Sequence, residues 1–332
     1  MSIALDVMGG DHAPVAIVKG ALEAAPILKT KLILVGDEAK FRHLLPATLP
    51  HNIELVHASQ SVEMDEKPLD AYRKKKDSSL MVAARLVQEG KASALVSAGN
   101  TGAASATSLL QWRQVEGVHR PAIASHIPNR HDGFVLLDAG ASPDVDPEHF
   151  VEFAIMGRAY AQKLLGRPNP KVHLLNIGEE EGKGNAFAKQ AYHLLSRHKW
   201  FAGNIEGKDM FANPVDVVVC DAFVGNIVLK SCEGLAELII DSIRSEVPTK
   251  WPEKLLYWPV RKVTKPLRKK MDYAEVGGSP LLGLNGLCMI CHGRSSPKAI
   301  RNALLTTERA IENGLVDTIK STVSEELGSS NE

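Results

Sequence analysis

Short apolar runs alternate with longer stretches whose apolar positions recur every three or four residues. The short runs are Ile3–Val7, Lys31–Val35, Ile53–His57, Ala94–Val96, Ala122–Ser125, Phe134–Leu137, Val172–Leu175 and Val215–Cys220. They are rich in Val, Ile and Leu and are bounded by Gly, Asp or Pro, which is the pattern of buried strands. Ala13–Ala24, Ser78–Glu89, Glu148–Leu165, Phe187–Ser196 and Leu229–Ile243 carry the helical period. Strands alternating with longer helices predict an α/β chain: βαβ units and a mostly parallel sheet with helices on both faces, a three-layer αβα arrangement. No repeat, low-complexity segment or linker interrupts the pattern, so 1–323 reads as a single catalytic unit, in one piece or as two interwoven lobes. Residues 324–332 read as a frayed tail.

In such sheets ligands gather at the carboxyl ends of the strands, and there the chain repeatedly places polar, glycine-rich segments. The most informative is Ser97-Ala98-Gly99-Asn100-Thr101-Gly102, between the Ala94–Val96 run and an Ala/Ser-rich helical stretch. A strand that turns through glycines into a helix start aims backbone N–H groups and the positive end of the helix dipole at one point, which suits phosphate. The same residues also make an ordinary capped βα turn. Met8–Pro14, Asp138–Ser142, Asn176–Asn185 and Asp221–Asn226 follow four other strands in the same way. Five such ends suggest a shared cleft lined by N–H groups, carboxamides and Lys183.

Known nucleotide signatures fail. There is no G-x-G-x-x-G after a strand, and Gly178 to Gly182-Lys183 has the wrong spacing for a Walker loop, with Gly184 where Ser or Thr belongs. No G-x-S-x-G elbow is present. Cys288-Met-Ile-Cys291-His292 matches the c-type haem pattern. Its apolar flanks between Gly286 and Gly293 read instead as a short buried strand, with cysteine acting as a small hydrophobe. Neither Cys220 nor Cys232 completes a zinc set, so no metal is expected.

Composition narrows the class. The 332 residues are 44% hydrophobic and 23% charged with zero formal net charge, a soluble globular profile with no global attraction to nucleic acid. The first residues show no basic segment leading into a long apolar one, and no run approaches the roughly 20 apolar residues that span a bilayer. The chain therefore reads as cytoplasmic. Charge is local: Arg73-Lys74-Lys75-Lys76 is either a solvated face or a dock for an acidic partner. Between Lys250 and Lys270, eight of 21 residues are basic and one is acidic, with Trp251, Leu255, Leu256 and Trp258 interleaved. Prolines there forbid one straight helix, so 247–271 reads as a protruding amphipathic hairpin. It suits an anionic membrane surface or a dimer contact.

DVMGGDHAP, RKKKDSSLMVAA, SAGNTGAASA, LLDAGA, LLNIGEEEGKGN, GNIEGKD, VDVVVCDAFVGNIVLKSCEG and PLLGLNGLCMICHGRSS, in order from about residue 3 to residue 310, resemble the bacterial phosphate acyltransferases of glycerophospholipid synthesis. Ser142 and Ala222 stand where that pattern has Asn and Gly. The resemblance implies a fold similar to phosphotransacetylases and the isocitrate/isopropylmalate dehydrogenases, and a homodimer. It also implies transfer of a fatty acyl group from acyl carrier protein (ACP) to inorganic phosphate, with no cofactor and with a membrane glycerol-3-phosphate acyltransferase receiving the product. Thioesters are already activated, so positioning and oxyanion stabilisation suffice. The expected roles are Gly99, Asn100, Thr101, Gly102 and His12 for phosphate, and Lys183, Asn226 and Asn185 for catalysis. Other readings are an acyl-CoA-dependent phosphate acetyltransferase and a non-catalytic membrane-docked acyl-ACP binder. Each polar residue also has a bland role: Lys183 as a solvated lysine, the asparagines as turn formers, and His12, His292, Asp6 and Asp138 as residues that orient loops.

Overall fold

The computed structural model describes residues 1–245 and 277–328. The first lobe begins with β1 (Ser2–Asp6), α1 (Val15–Ala24), β2 (Lys31–Gly36), α2 (Glu38–Phe41), β3 (Ile53–His57), α3 (Pro68–Lys74), α4 (Ser79–Gln88), β4 (Ala94–Ser97), α5 (Thr101–Trp112) and β5 (Ala122–Ile123). The second comprises β6 (Ser125–Ile127), β7 (Phe134–Leu137), α6 (His149–Leu165), β8 (Val172–Asn176), α7 (Ala186–Leu195), β9 (Phe201–Glu206), α8 (Asp209–Ala212), β10 (Val217–Val219) and α9 (Ala222–Ser245). The chain then returns to the first lobe through β11 (Ser279–Leu282), β12 (Leu287–Ile290) and α10 (Pro297–Glu312), and ends in α11 (Leu315–Gly328) against α6 of the second.

The strands form two sheets rather than one. The first has the order β3-β2-β1-β4-β12-β11-β5 and the second β6-β7-β10-β8-β9. Within them β1–β4 and β12 run parallel, as do β7 to β10, while β11 and β6 run antiparallel to their neighbours. Parallel strands are buried on both faces, so their side chains can be apolar without alternation. Ile3, Ala4 and Leu5 in β1 and Val217, Val218 and Val219 in β10 are all fully buried.

The apolar run from Ala122 is not one strand. β5 pairs with β11 in the first sheet and β6 pairs with β7 in the second, so the chain changes sheet at Ala124. Helix α1 packs against α10 on one face of the first sheet, with α4 and α5 on the other. Helix α6 covers the second sheet and is backed by α11. Its Phe153, fully buried, is the kind of side chain whose burial stabilises a fold by about 2–3 kcal/mol. The register Ile290↔Ser97 and Val219↔Leu137 aligns the carboxyl ends of β4 with β12 and of β10 with β7. This alignment brings the glycine-rich segments level with one another.

Two strands escape a reading of the pattern. β9 contains Gly203 and Asn204, and β11 begins Ser279-Pro280. Helix α9 starts at Ala222, seven residues before its apolar period becomes evident. Helix α11 continues to Gly328 across the first part of the expected frayed tail, whose last residues lie outside the described residues. The 247–271 hairpin, with Trp251, Leu255, Leu256 and Trp258, also lies outside them.

Candidate active site

One side of the site is built under the β4 turn. Asp6, at the end of β1, is buried. It accepts from Ser79 Oγ (2.5 Å), Ser97 Oγ (2.7 Å) and the Met8 N–H (3.3 Å). Ser97 Oγ in turn accepts from the Gly99 N–H at 3.1 Å. Burial pushes the Asp6 carboxyl up from its ordinary value, and the hydroxyl and backbone donors oppose it. The neighbouring loop is tied on by the Asp11 N–H, which donates to the Gly293 carbonyl at 2.8 Å.

Asn100 caps α5. Its Oδ1 accepts from the Ala103 N–H (2.9 Å), while its amide donates to the carbonyls of Met64 (2.9 Å) and Glu66 (3.0 Å). The next two residues, Thr101 and Gly102, line a cavity of about 920 Å³. First-turn N–H groups have no carbonyl four residues back in their own helix, so these two are available to a ligand.

The facing side comes from the second lobe. Asp138 accepts from the N–H groups of Ile123 (3.0 Å), Gly140 (2.9 Å), Ala141 (2.9 Å) and Ser142 (2.8 Å), which fixes the β7 loop. Burial raises its pKa and these donors lower it. Ser142 spends its hydroxyl on the Pro121 carbonyl, 2.8 Å away. Asp221 caps α9 through the Val224 N–H at 2.9 Å. A Cβ at Gly225 would overlap the Asp138 carbonyl oxygen, so glycine is what lets α9 approach the β7 end. Asn226 then lies beside Gly140 on the cavity wall. Two helix N-termini, of α5 and α9, thus open on one cavity, each carrying roughly half a positive charge.

Behind them the cavity is mainly apolar, with Ile123, Ile127, Phe211, Leu229, Leu235 and Ile240 among its lining residues. Lys230, Glu233 and His292 form a polar cluster in its wall. Lys230 Nζ is 2.8 Å from Glu233, and His292 Nε2 is 3.9 Å from the same carboxylate. The Arg294 N–H donates to His292 Nδ1 at 3.1 Å.

The expected site residues separate into groups. Thr101, Gly102 and Asn226 share the cavity. Gly99 is buried beneath the turn with its N–H given to Ser97, and Asn100 is occupied as a cap and strap. His12 is exposed before α1 and lies outside the cavity lining. Asn185 caps α7 through the Ala188 N–H at 2.8 Å, the ordinary structural use of such a residue. Lys183 is half exposed on the β8 loop, 3.6 Å from Glu180, and is also outside the lining. That loop is moored by Asn176, whose amide reaches the Lys183 carbonyl (3.2 Å) and Asn204 Oδ1 (3.1 Å).

The basic run is not uniform. Arg73, Lys74 and Lys76 are exposed, with Lys74 3.4 Å from Asp70 and Lys76 over the Tyr72 ring. Lys75 turns inward to Glu66 and the Ser61 carbonyl, and its hydrogen bond holds the Glu66 carboxyl below its ordinary value. Ser79, Ser97, Lys230 and Glu233 were given no role from the sequence. Ser97 offered a signal, as the hydroxyl two residues before a glycine in the turn. The other three sit on helices with no local mark of their contacts.

Cys288 and Cys291 lie within or just beyond β12, and burial pushes both thiols up to about 12, far from the thiolate needed for attack. His119, His149 and Glu152 bring ligand atoms within 4.8 Å of one another. His119 Nδ1 is hydrogen-bonded to Glu152 (2.7 Å) and His149 Nδ1 accepts from the Asp146 N–H (2.8 Å), so those atoms already have structural uses.

Two α/β lobes with strand ends converging on a cleft define the chain as phosphotransacetylase-like in fold. A phosphotransacetylase from Streptococcus pyogenes superposes with a TM-score of 0.61 at 17% identity, covering 94% of each chain. The sequence pattern of the family described as "Fatty acid synthesis protein" matches residues 1–318, and the chain belongs to that family. A relative from Desulfitobacterium hafniense, named phosphate acyltransferase, is 47% identical over 96% of this chain and 97% of its own. Another of that name from Pelotomaculum thermopropionicum is 47% identical over 97% and 95%. The chain is an acyltransferase of lipid biosynthesis.

Proposed function

We propose that this acyltransferase moves a fatty acyl group from acyl-ACP to inorganic phosphate, releasing acyl phosphate and the ACP thiol. The observation that carries the reading is the pairing of a large apolar cavity with two helix N-termini at its edge. The cavity suits a long chain better than an acetyl group, which favours acyl-ACP over an acetyl-CoA donor. Thr101 and Gly102 seat phosphate through backbone N–H groups and the Thr101 hydroxyl. A phosphate oxygen attacks the thioester carbonyl carbon, and the carbonyl pair moves to oxygen. That oxyanion is met by the Asn226 amide and the α9 N-terminus. Collapse of the adduct expels the thiolate, which takes up a proton to become free ACP thiol. Lys183, on the loop after β8, supplies positive charge to the anionic reactants.

The exposed cations Arg73 and Lys74, on α3 beside α5, and Lys76, just beyond that helix, suit an acidic carrier protein. Leu238, more than half exposed on α9 and outside the cavity lining, favours self-association as a homodimer. No described helix is long and apolar enough to cross a membrane. The Trp251–Trp258 segment supports peripheral contact with anionic lipid instead, where an acyl phosphate can pass to a membrane glycerol-3-phosphate acyltransferase.

The test is thiol release from acyl-ACP and acyl-CoA with and without phosphate, with the acyl product trapped by hydroxylamine. Release should require phosphate, favour the ACP thioester and fall at least tenfold in Asn226→Ala, the loss of one charge-stabilising contact, and by less in Lys183→Ala, whose charge acts from outside the cavity lining. Phosphate-independent release, or full rates in both variants, overturns the reading.

A further inference from the structure

The proposed phosphate seat is two backbone N–H groups and the Thr101 hydroxyl, and all three depend on a backbone that has to be held in place. Asp6 is central to the packing beneath it. A Cβ on Gly9 would meet Asp6 Oδ2 at 2.5 Å and the Gly99 nitrogen at 2.8 Å. One on Gly99 would meet the Gly9 Cα at 3.3 Å and Asp6 Oδ2 at 3.6 Å. Two glycine-containing turns, after β1 and after β4, therefore lie against each other over a single buried carboxylate oxygen. That oxygen takes the Ser97 hydroxyl, and Ser97 takes the Gly99 N–H. The chain Asp6–Ser97–Gly99 ends one residue before the α5 cap, Asn100. On its other oxygen Asp6 takes the Ser79 hydroxyl, which belongs to α4.

We infer that Asp6 is a positioning residue for phosphate, acting through Ser97 and Gly99 to fix where the Thr101 and Gly102 N–H groups point. The inference rests on the proposed phosphate seat at Thr101–Gly102. Asp6 has no access to substrate. Its role is to tie the two glycine turns together, so that the donors need no reorganisation when the anion arrives.

The two serines separate this role from plain satisfaction of a buried carboxylate. Each donates one hydrogen bond to Asp6, so a role limited to stability makes their loss comparable. Positioning makes Ser97 the important one, because it alone passes the contact on to Gly99.

The experiment measures phosphate-dependent thiol release in Asp6→Asn, Ser97→Ala, Ser79→Ala and Thr101→Val, and monitors folding by thermal unfolding. Binding of inorganic phosphate alone is followed as the thermal shift it produces. Expected in Ser97→Ala and Asp6→Asn is a roughly tenfold rise in phosphate KM, the scale of one hydrogen bond to a charged group. The thermal shift produced by phosphate should shrink in step, with the KM for the acyl donor unchanged. Ser79→Ala should keep the wild-type phosphate KM even where its melting temperature falls. Equal phosphate KM values in Ser97→Ala and Ser79→Ala overturn the inference, and they do so even if Asp6→Asn does not fold. Thr101→Val reports on the seat itself by removing its one hydroxyl. If Thr101→Val, Ser97→Ala and Asp6→Asn all leave phosphate KM and the thermal shift unchanged, the proposed seat fails; if Thr101→Val alone shifts them, the seat stands and the role of Asp6 fails.

Discussion

If the apolar cavity holds the acyl chain, narrowing it far from the chemistry should select against long chains and spare short ones. Ala236 is a suitable position, because it lines the cavity on α9. It lies 14 residues beyond the first residue of the helix, Ala222, or about 21 Å along the axis at 1.5 Å per residue. Replacing it with leucine adds three carbons to the wall and changes helix propensity by only a few tenths of a kcal/mol. An acyl chain reaching that depth loses room for about three methylenes. At about 0.8 kcal/mol each this costs about 2.4 kcal/mol, or roughly 60-fold in kcat/KM. A short acyl chain ends before Ala236 and keeps its rate within about twofold. The assay is continuous thiol release with a chromogenic disulfide, run on a series of acyl-ACPs differing only in chain length. A uniform fall across the series, or none at all, refutes the assignment of this cavity to the acyl chain.

Two further outcomes follow from contacts at the site's edges. Asn185→Ala should lower stability by about 1 kcal/mol, the usual value of an N-cap. Thermal unfolding reads that loss, and kinetic constants close to wild type would confirm that Asn185 is a cap rather than a catalytic donor. Gly225→Ala forces a methyl group onto the Asp138 carbonyl, which should cost about 3 kcal/mol. It should also displace Asn226, so denaturant unfolding and kcat should suffer together; a stable variant with normal kcat contradicts the packing argument.

The parallel strands were legible because burial on both faces leaves unbroken apolar runs such as Ile3–Leu5 and Phe134–Leu137. Their division into two sheets was not. Ala122 to Ser125 reads as one short run, and no glycine or proline marks the crossing at Ala124. The β7 to α9 region misled in another way. Gly225-Asn226 has the composition of a turn, yet glycine is there for close approach and Asn226 belongs to the helix. Two of the three asparagines that looked chemical, Asn100 and Asn185, spend their side-chain oxygens on caps. Residue type and spacing alone cannot tell a cap from a ligand, because the same amide serves both. Asp6 and Asp138 as loop organisers were anticipated, since buried carboxylates at strand ends have few other uses.

The strand order has a consequence for synthesis. β1 to β4 are made within the first hundred residues, and every strand of the second sheet by residue 219. Yet β12, which pairs along β4, consists of residues 287–290. Until those residues leave the ribosome, the nascent first lobe has an open β4 edge, a site of unwanted pairing with other chains. The turn carrying Gly99 to Gly102 sits at the end of that open edge. A chain stalled between the two sheets would thus hold every residue of the proposed phosphate seat and still lack the strand that braces it.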